Sequence, residues 1–322
     1  MDKEFPQVRT WKPRLHVRLA KLPVRLAGPA RRFTGALHKA AADLQLQDLW
    51  KRLKRNRAAM AGLYLLTFIF ILAVFAPVFA PYSPTRGDLR AVLQPPSLSH
   101  LMGTDELGRD ILSRVIFGAR LSLQVGFVAV SIALVVGTIL GAVAGYYGGR
   151  LDNVIMRVMD VLLAFPSILL ALALMVMLGR GLNKAMIAIG IVEIPSYARI
   201  VRGSVLAVRE QEYVESARAL GVPTARIIWR HILPNVLAPI IVRATLGISE
   251  AILEAAALGF LGLGAQLPQP EWGAMLSRSR NYIISAPWAV FFPGFAITVT
   301  VLALNLLGDG LRDALDPRLK TG

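Results

Sequence analysis

The sequence predicts an all-α membrane protein with six transmembrane helices and both termini on the cytoplasmic side. Three observations lead there. Hydrophobic residues make up 55% of the 322-residue chain and charged residues only 17%, with a mean hydropathy of +0.55, whereas soluble domains carry roughly a quarter charged residues. Six stretches are apolar over about 20 residues, the length of a helix that crosses a hydrocarbon core about 30 Å thick. Finally, if the N-terminus is placed in the cytoplasm and the spans alternate, 26 Lys and Arg fall inside and nine outside, as positive-inside topology requires. Most of that margin comes from the N-terminal tail.

The net charge of +16 first suggests a nucleic-acid binder, but its distribution argues otherwise. Residues 1–57 hold 15 Lys and Arg against Asp2, Glu4, Asp43 and Asp48, so most of the excess precedes the first apolar stretch. A basic tail ahead of such stretches suits the inner face of a membrane and its anionic headgroups. It is not a secretory signal, because Pro13, Pro23 and Pro29 interrupt it and no apolar run occurs before residue 58. The chain has no cysteine, which excludes disulfides, thiolate chemistry and cysteine-ligated metals.

Taken in order, the tail (1–57) ends in an amphipathic helix over about 43–56, where Leu46, Leu49, Trp50 and Leu53 share one face. This helix lies either on the inner membrane surface or on the protein itself. The six-span domain covers 58–308. Its first span, 58–78, carries no charge and ends at Pro77 and Pro81; an outer loop, 79–120, starts Pro-rich and ends in a short helix with Asp105 and Glu106 at its N-terminus. The second span, 121–146, places Gly137, Gly141 and Gly145 on one face, a stripe that lets another helix backbone approach closely. The third, 158–178, contains Pro166, and the fourth, 185–205, contains Glu193 and ends among Arg199 and Arg202. The fifth, 236–263, includes Glu250 and Glu254; the sixth, 289–307, precedes a C-terminal tail, 309–322.

The cytoplasmic segment 206–235 is too patterned to be a mere connector. It reads as two short helices, the first ended by Gly221 and the second N-capped by Thr224 and stopped by Pro234. The second helix carries Ile227, Ile228 and Ile232 as an apolar patch among Arg226, Arg230 and His231, a form suited to insertion into a groove on a soluble partner.

This segment resembles the EAA loop of ABC-importer permeases, Glu-Ala-Ala-x3-Gly-x9-Ile-x-Leu-Pro, at Glu215, Ala217, Gly221, Leu233 and Pro234. Ser216 and His231 depart from that pattern, but His231 to Asn235, His-Ile-Leu-Pro-Asn, is similar to the peptide-importer branch. Gly103 to Asp110, Gly118 to Arg120, Phe260 to Gly264 and Asn305 to Asp313 resemble the same branch. Over about residues 45–320, the chain resembles the C-type permease subunits of dipeptide, oligopeptide and nickel uptake systems.

The resemblance implies a type I importer fold in the inner membrane of a prokaryote, a homologous B-type permease as partner, two cytoplasmic ATPases and an extracytoplasmic binding protein. ATP and Mg would be bound by the ATPases, and no cofactor or catalytic residue by this chain. Glu215, Ala217, Gly221, Thr224, Arg226, Ile227, Ile228, His231 and Pro234 would couple ATP binding to movement of the spans. The substrate would be a peptide, or alternatively glutathione, a nickel chelate or another small solute.

The intramembrane acids Glu193, Glu250 and Glu254 are candidates for lining the pathway, since charge at membrane depth is costly and marks pathways or pairs; for Glu250 and Glu254, four apart on one helix face, pairing with Arg243 or with polar neighbours in a subunit interface is the competing reading. Asp105, Glu106 and Asp110 could suggest a metal, but helix capping and pairing with Arg109 and Arg114 explain them better. Trp272, Tyr282 and Trp288 read as interfacial anchors. The chain has no phosphate-binding Gly-Lys-Ser/Thr loop. An ion-coupled transporter would be expected to show repeated halves with interrupted helices, and an enzyme a nucleophile with its base; the sequence offers neither.

Overall fold

The computed structural model describes residues 49–315. The N-terminal tail to residue 48 and residues 316–322, with the sequence expectations that fall on them, lie outside the described residues. A short helix, α1 (49–55), leads into α2 (Arg57–Val74) and α3 (Ala76–Phe79), then α4 (Ile111–Tyr147), α5 (Gly149–Leu163) and α6 (Ser167–Leu178). α7 (Leu182–Arg209) and α8 (Glu212–Ala219) follow, then α9 (Thr224–Ile227), a π-helical turn (Ile228–Ile232), α10 (Leu233–Phe260), α11 (Trp272–Ser279) and α12 (Trp288–Leu315). Among the described residues the regular structure is entirely helical, apart from one isolated bridge between Thr104 and Asp110.

Four helical stretches are long and apolar enough to cross a membrane unaided: α2, α4, the run Thr224–Phe260 and α12. The bent pair α5–α6 is a fifth candidate. α7 is 28 residues long, but Lys184, Glu193, Arg199 and Arg202 dilute its apolar character. The third predicted span, 158–178, is therefore not one straight helix. It is split between α5 and α6, which meet at 93°, because Pro166 has no N–H to continue the ladder and pushes the preceding residue out of helical geometry. The second span and the short helix before it are one 37-residue helix, α4. Its N-cap is Asp110, whose carboxylate accepts from the Ser113 N–H at 2.8 Å; Asp105 and Glu106 sit before it and do not cap it. The predicted C-terminal tail is helical as far as Leu315.

Apolar burial drives helices together weakly in lipid, so close backbone approach has to hold the bundle. The glycine stripe performs this role. A Cβ at Gly137 would lie 2.5 Å from Tyr197 Cβ and 2.9 Å from the Ile194 carbonyl, and one at Gly145 would lie 2.9 Å from the Arg202 carbonyl. Gly141 meets the backbone at Ala198 in the same way, so α4 and α7 touch along three turns. Buried Ala129, Ala133, Ala185 and Ala188 extend this small-residue core. α10 and α12 run antiparallel, with Ser249 Oγ donating to Asn305 Oδ1 at 2.7 Å and Gly308 set against Leu246. α1 rests on the bundle through Leu53, which is 4% exposed and packs near Gly310, while Trp50 on the same helix stays exposed with Lys54 over its ring.

One end of the bundle, the cap end, is closed by the 80–110 segment and α11. Asp105 accepts from Arg109 Nε at 2.7 Å and faces Arg114 Nε at 3.3 Å; Arg109 also reaches Glu106 at 3.1 Å, and His100 meets Asp110 at 3.0 Å. These carboxylates are thus engaged by guanidinium groups, an imidazole and backbone N–H groups. Trp272 and Trp288 are not simple interfacial anchors. Trp272 is 2% exposed and donates its indole N–H to the Val115 carbonyl at 3.0 Å, and Trp288 donates to the Thr104 carbonyl at 3.3 Å. Both bolt the cap to the bundle, and Tyr282 lies half-buried in a 3₁₀ turn beside α11. The opposite end carries α8 and α9 and is termed the loop end.

Candidate functional site: the loop-end helices and the intramembrane ion bridge

α8 begins at Glu212, with Glu212 and Glu215 in its first turn, where carboxylates complement the helix dipole. It ends in a Schellman motif: the Gly221 N–H donates to the Arg218 carbonyl at 3.0 Å and the Val222 N–H to the Ala217 carbonyl at 3.1 Å. Gly221 has φ +71° and nothing within 4 Å of where a Cβ would stand. Glycine is therefore required there by backbone conformation and not by packing.

The second helix differs from expectation in three respects. Thr224 is not its N-cap; Pro223 holds that position without a side-chain bond, and Thr224 is the first helical residue. Pro234 does not stop it. The helix passes through the π turn, where the Leu233 N–H donates to the Ile228 carbonyl, and continues into α10. The wider π ladder absorbs an extra residue just ahead of Pro234, which is exposed on the continuing helix. Lastly, the isoleucine patch faces inward. Ile227 and Ile232 are 1% and 0% exposed, packed with Val214, Ala217, Val236, Ile240 and the α7 residues Val201 and Val205. The steps between Ile227, Ile232, Val236 and Ile240 are five, four and four residues, so the π turn's extra residue keeps Ile232 on the buried face.

Solvent at the loop end therefore meets other residues. Leu220 is 83% exposed and Trp229 71% exposed, flanked by exposed Glu215, Arg218, Arg226 and Arg230. Neither Leu220 nor Trp229 was picked out by motif matching. Trp229, between Ile228 and Arg230, falls opposite the face defined by Ile227 and Ile232 once the five-residue step is recognised. Ile228 and His231 are half-buried, and the His231 carbonyl accepts from Tyr213 Oη at 3.4 Å and Asn235 Nδ2 at 2.7 Å. The loop is tied to α4 as well: Arg209 donates to the Gly145 carbonyl at 2.9 Å, capping the last carbonyls of α4, and Arg218 stacks 5.6 Å over Tyr146. Arg202 holds Asp152 in a two-pronged ion pair that joins α7 to α5.

At mid-bundle the intramembrane acids divide. Arg243 of α10 bridges Glu193 of α7 at 2.5 Å and Glu250 of its own helix at 2.8 Å. Its guanidinium lies 5.3 Å over the Tyr197 ring, and Tyr197 Oη donates to the Arg243 carbonyl at 3.3 Å. Glu193 is 7% exposed and Glu250 much more open. Burying the Glu193 carboxylate is tolerable only with such a partner, whereas Glu250 meets the same guanidinium from a half-exposed position. Glu254, a turn further along, is in no ion pair among the described residues. Among the described residues no group of three or more His, Asp or Glu is placed to hold a metal ion.

Comparison with known proteins agrees with this architecture. Residues 137–321 match the family described as binding-protein-dependent transport system inner membrane component, and residues 45–96 match the N-terminal TM domain of oligopeptide transport permease C. The chain is 55% identical over 275 residues to the dipeptide transport system permease protein DppC of Alkalihalophilus pseudofirmus, covering 85% of this chain and 90% of that protein. It is 50% identical over 298 residues to the di/tripeptide transport system permease protein DppC of Pseudomonas aeruginosa, covering 88% and 98%. It is 47% identical over 277 residues to the glutathione transport system permease protein GsiD of Pectobacterium atrosepticum, covering 85% and 92%. A solved structure of the MetNI methionine ABC transporter in inward-facing form is similar in fold, with a TM-score of 0.54 at 19% identity over 64% of this chain and 98% of that one. The chain thus belongs to the inner-membrane permeases of binding-protein-dependent ABC importers, in the branch of oligopeptide transport permease C, as a multi-pass protein of the bacterial inner membrane.

Proposed function

We propose that this chain is one of two permease subunits of an ATP-driven importer of short peptides. Its companions are a homologous B-type permease, two cytoplasmic ATPases that bind ATP and Mg, and an extracytoplasmic binding protein. Both termini and the loop end face the cytoplasm, and six spans complete the membrane domain, with the bent α5–α6 pair and α7 among them. The observation that carries the reading is the 46–55% identity, across nearly the whole permease length, to four proteins named for dipeptide or di/tripeptide transport. Glutathione is the second reading, favoured by the 47–48% identity to GsiD proteins.

Coupling runs through the loop end. Gly221 and the Schellman turn set the angle between α8 and α9, the buried Ile227 and Ile232 fasten α9 to the bundle, and exposed Leu220, Trp229, Glu215, Arg218, Arg226 and Arg230 meet the ATPase. Glu193, Glu250 and Glu254 border the pathway. The test is reconstitution of the chain, with the permease, ATPases and binding protein encoded beside it, in proteoliposomes. ATP-dependent uptake of labelled dipeptides is expected, lost together with ATPase association in a Leu220→Asp, Trp229→Asp double variant. Uptake that persists without ATPases and follows a proton gradient would refute the importer reading, and preferential uptake of glutathione would select the second one.

A further inference from the structure

The face of the bundle formed by α2, α4, α10 and α12 carries a groove made of two adjoining cavities. The one nearer the cap, about 320 Å³, lies between α2 and α4 and includes Val74, Arg120 and Gln124 in its lining. The deeper one, about 350 Å³, reaches Thr67, Ile248 and Leu307. Phe70, Leu123 and Phe127 line both, so the groove is continuous. Arg120, Gln124 and Phe127 stand at i, i+4 and i+7 on α4 and are all exposed, so they share one face of the helix. Arg120 is the last charge on α4 before the uncharged run 121–146, which places it where hydrocarbon gives way to headgroups. Among the described residues it has no ion pair or hydrogen bond, and no carboxylate lines either cavity. The helix register gives the depth. A Cβ at Gly126 would meet Ile248, and one at Gly247 would lie 3.5 Å from Val130, so the floor of the groove is level with Val130. From Arg120 to Val130 the helix rises about 15 Å, the thickness of one leaflet of a hydrocarbon core about 30 Å thick.

We propose that this groove binds one anionic phospholipid from the leaflet at the cap end, its phosphate on Arg120 and an acyl chain along Phe70, Leu123 and Phe127 toward Leu307. A free guanidinium at the mouth offers a two-pronged, charge-assisted grip on phosphate oxygens. Gln124, one turn deeper, adds amide N–H groups at the level of the ester carbonyls. Below them the lining is almost wholly apolar for the depth of one leaflet, which suits a tail and nothing charged. A zwitterionic phospholipid brings an ammonium as well, and the lining has no carboxylate to receive it. The site therefore favours a headgroup of net negative charge. It is independent of which solute the importer carries.

The test uses the complete importer in phosphatidylcholine nanodiscs with a trace of phosphatidylglycerol that carries a diazirine in one acyl chain. Photolabelling is expected on fragments of this chain containing residues 66–74 and 120–127. Unlabelled phosphatidylglycerol should suppress it at about one-tenth the mole fraction needed of phosphatidylethanolamine. Arg120→Gln should abolish that tenfold preference, the worth of one charge-assisted hydrogen bond, while Arg120→Lys keeps most of it. Thr67→Trp, at an exposed position lining the deeper cavity, should block the acyl path and reduce labelling with Arg120 intact. Equal competition by the two lipids, as an unselective lipid shell gives, would overturn the proposal, as would an unchanged preference in Arg120→Gln. The remaining occupant is a helix of the companion permease. Because the chain has no cysteine, Phe127→Cys supplies a single thiol, and its efficient crosslinking to that permease in place of lipid labelling would also overturn the lipid site.

Discussion

Replacing Gly137 by alanine tests whether backbone contact holds the bundle together. A methyl there would stand 2.5 Å from Tyr197 Cβ, 2.9 Å from the Ile194 carbonyl and 3.0 Å from the Ala198 nitrogen, where ordinary carbon contacts are about 3.5–4.0 Å. Two of these neighbours are backbone and the third is a Cβ, so no change of rotamer relieves the clash. α7 would have to retreat by about 1 Å, which also loosens its contacts at Gly141 and Gly145. Overpacking of this kind costs about 1–3 kcal/mol, and with two of the three contacts against backbone the upper half of that range applies, about 2–3 kcal/mol; less a helix-propensity gain of about 1 kcal/mol for Gly to Ala, the net loss is about 1–2 kcal/mol. Gly203 on α7 provides the control. It is helical and exposed, with nothing within 4 Å of its would-be Cβ, so Gly203→Ala should stabilise by about 0.8–1 kcal/mol. Thermal unfolding of the purified chain in detergent, followed by tryptophan emission, should show shifts of opposite sign. A Gly137→Ala protein as stable as wild type, or two variants that shift alike, would refute the argument.

Removing Arg243 while leaving its carboxylates, as in Arg243→Leu, strands Glu193 in a buried site and should cost about 3–5 kcal/mol; the same unfolding assay should show Glu193→Gln restoring part of that loss. Trp272→Phe keeps the ring but deletes the donation to the Val115 carbonyl, so the cap should loosen by about 1–2 kcal/mol, read as faster hydrogen exchange across α11. Glu271 caps α11 by accepting from the Gly273 and Ala274 N–H groups, yet burial raises its pKa more than those bonds lower it. The folded state therefore holds this proton to higher pH than the unfolded chain. Its contribution is full below the normal glutamate range and is lost as pH rises through the folded value. Glu271→Gln should flatten the fall of melting temperature with rising pH, and an identical slope in the variant would count against this.

Much of the fold was legible because proline, glycine and hydrophobic length act locally. The glycine stripe announced a close helix contact, which α7 makes, and Gly221 marked the end of α8; Pro166 was seen inside the third span but not read as the break it makes between α5 and α6. What escaped depended on partners distant in sequence or on one extra residue in a ladder. Trp272 reads as an anchor until Val115 is seen 157 positions away, and the length of α4 was hidden by Arg114 and Arg120 in its first turns. The isoleucines of the second loop helix read as a docking patch because the sequence shows an apolar face and not what covers it; Val201 and Val205 of α7 and Val214 of α8 do so. Pairing of Glu250 with Arg243 stood among the alternatives; the bridge from Arg243 to Glu193 did not, because it joins α10 to α7 across 50 residues of sequence.

The helix that runs unbroken from Thr224 to Phe260 has a mechanical consequence. At 1.5 Å per residue its 37 residues make a rod about 55 Å long, whose regular ladder is interrupted near the loop end, by the π turn at Ile228–Ile232 and by Pro239. Pivoting near Arg243, about midway along it, a change of pitch of about 5° displaces each end by about 2.5 Å in opposite directions. Fastened by Ile227 and Ile232 at one end and by the α10–α11 contact of Gly259 with Glu271 at the other, α10 is a lever, and the ion bridge to α7 sits close to its fulcrum.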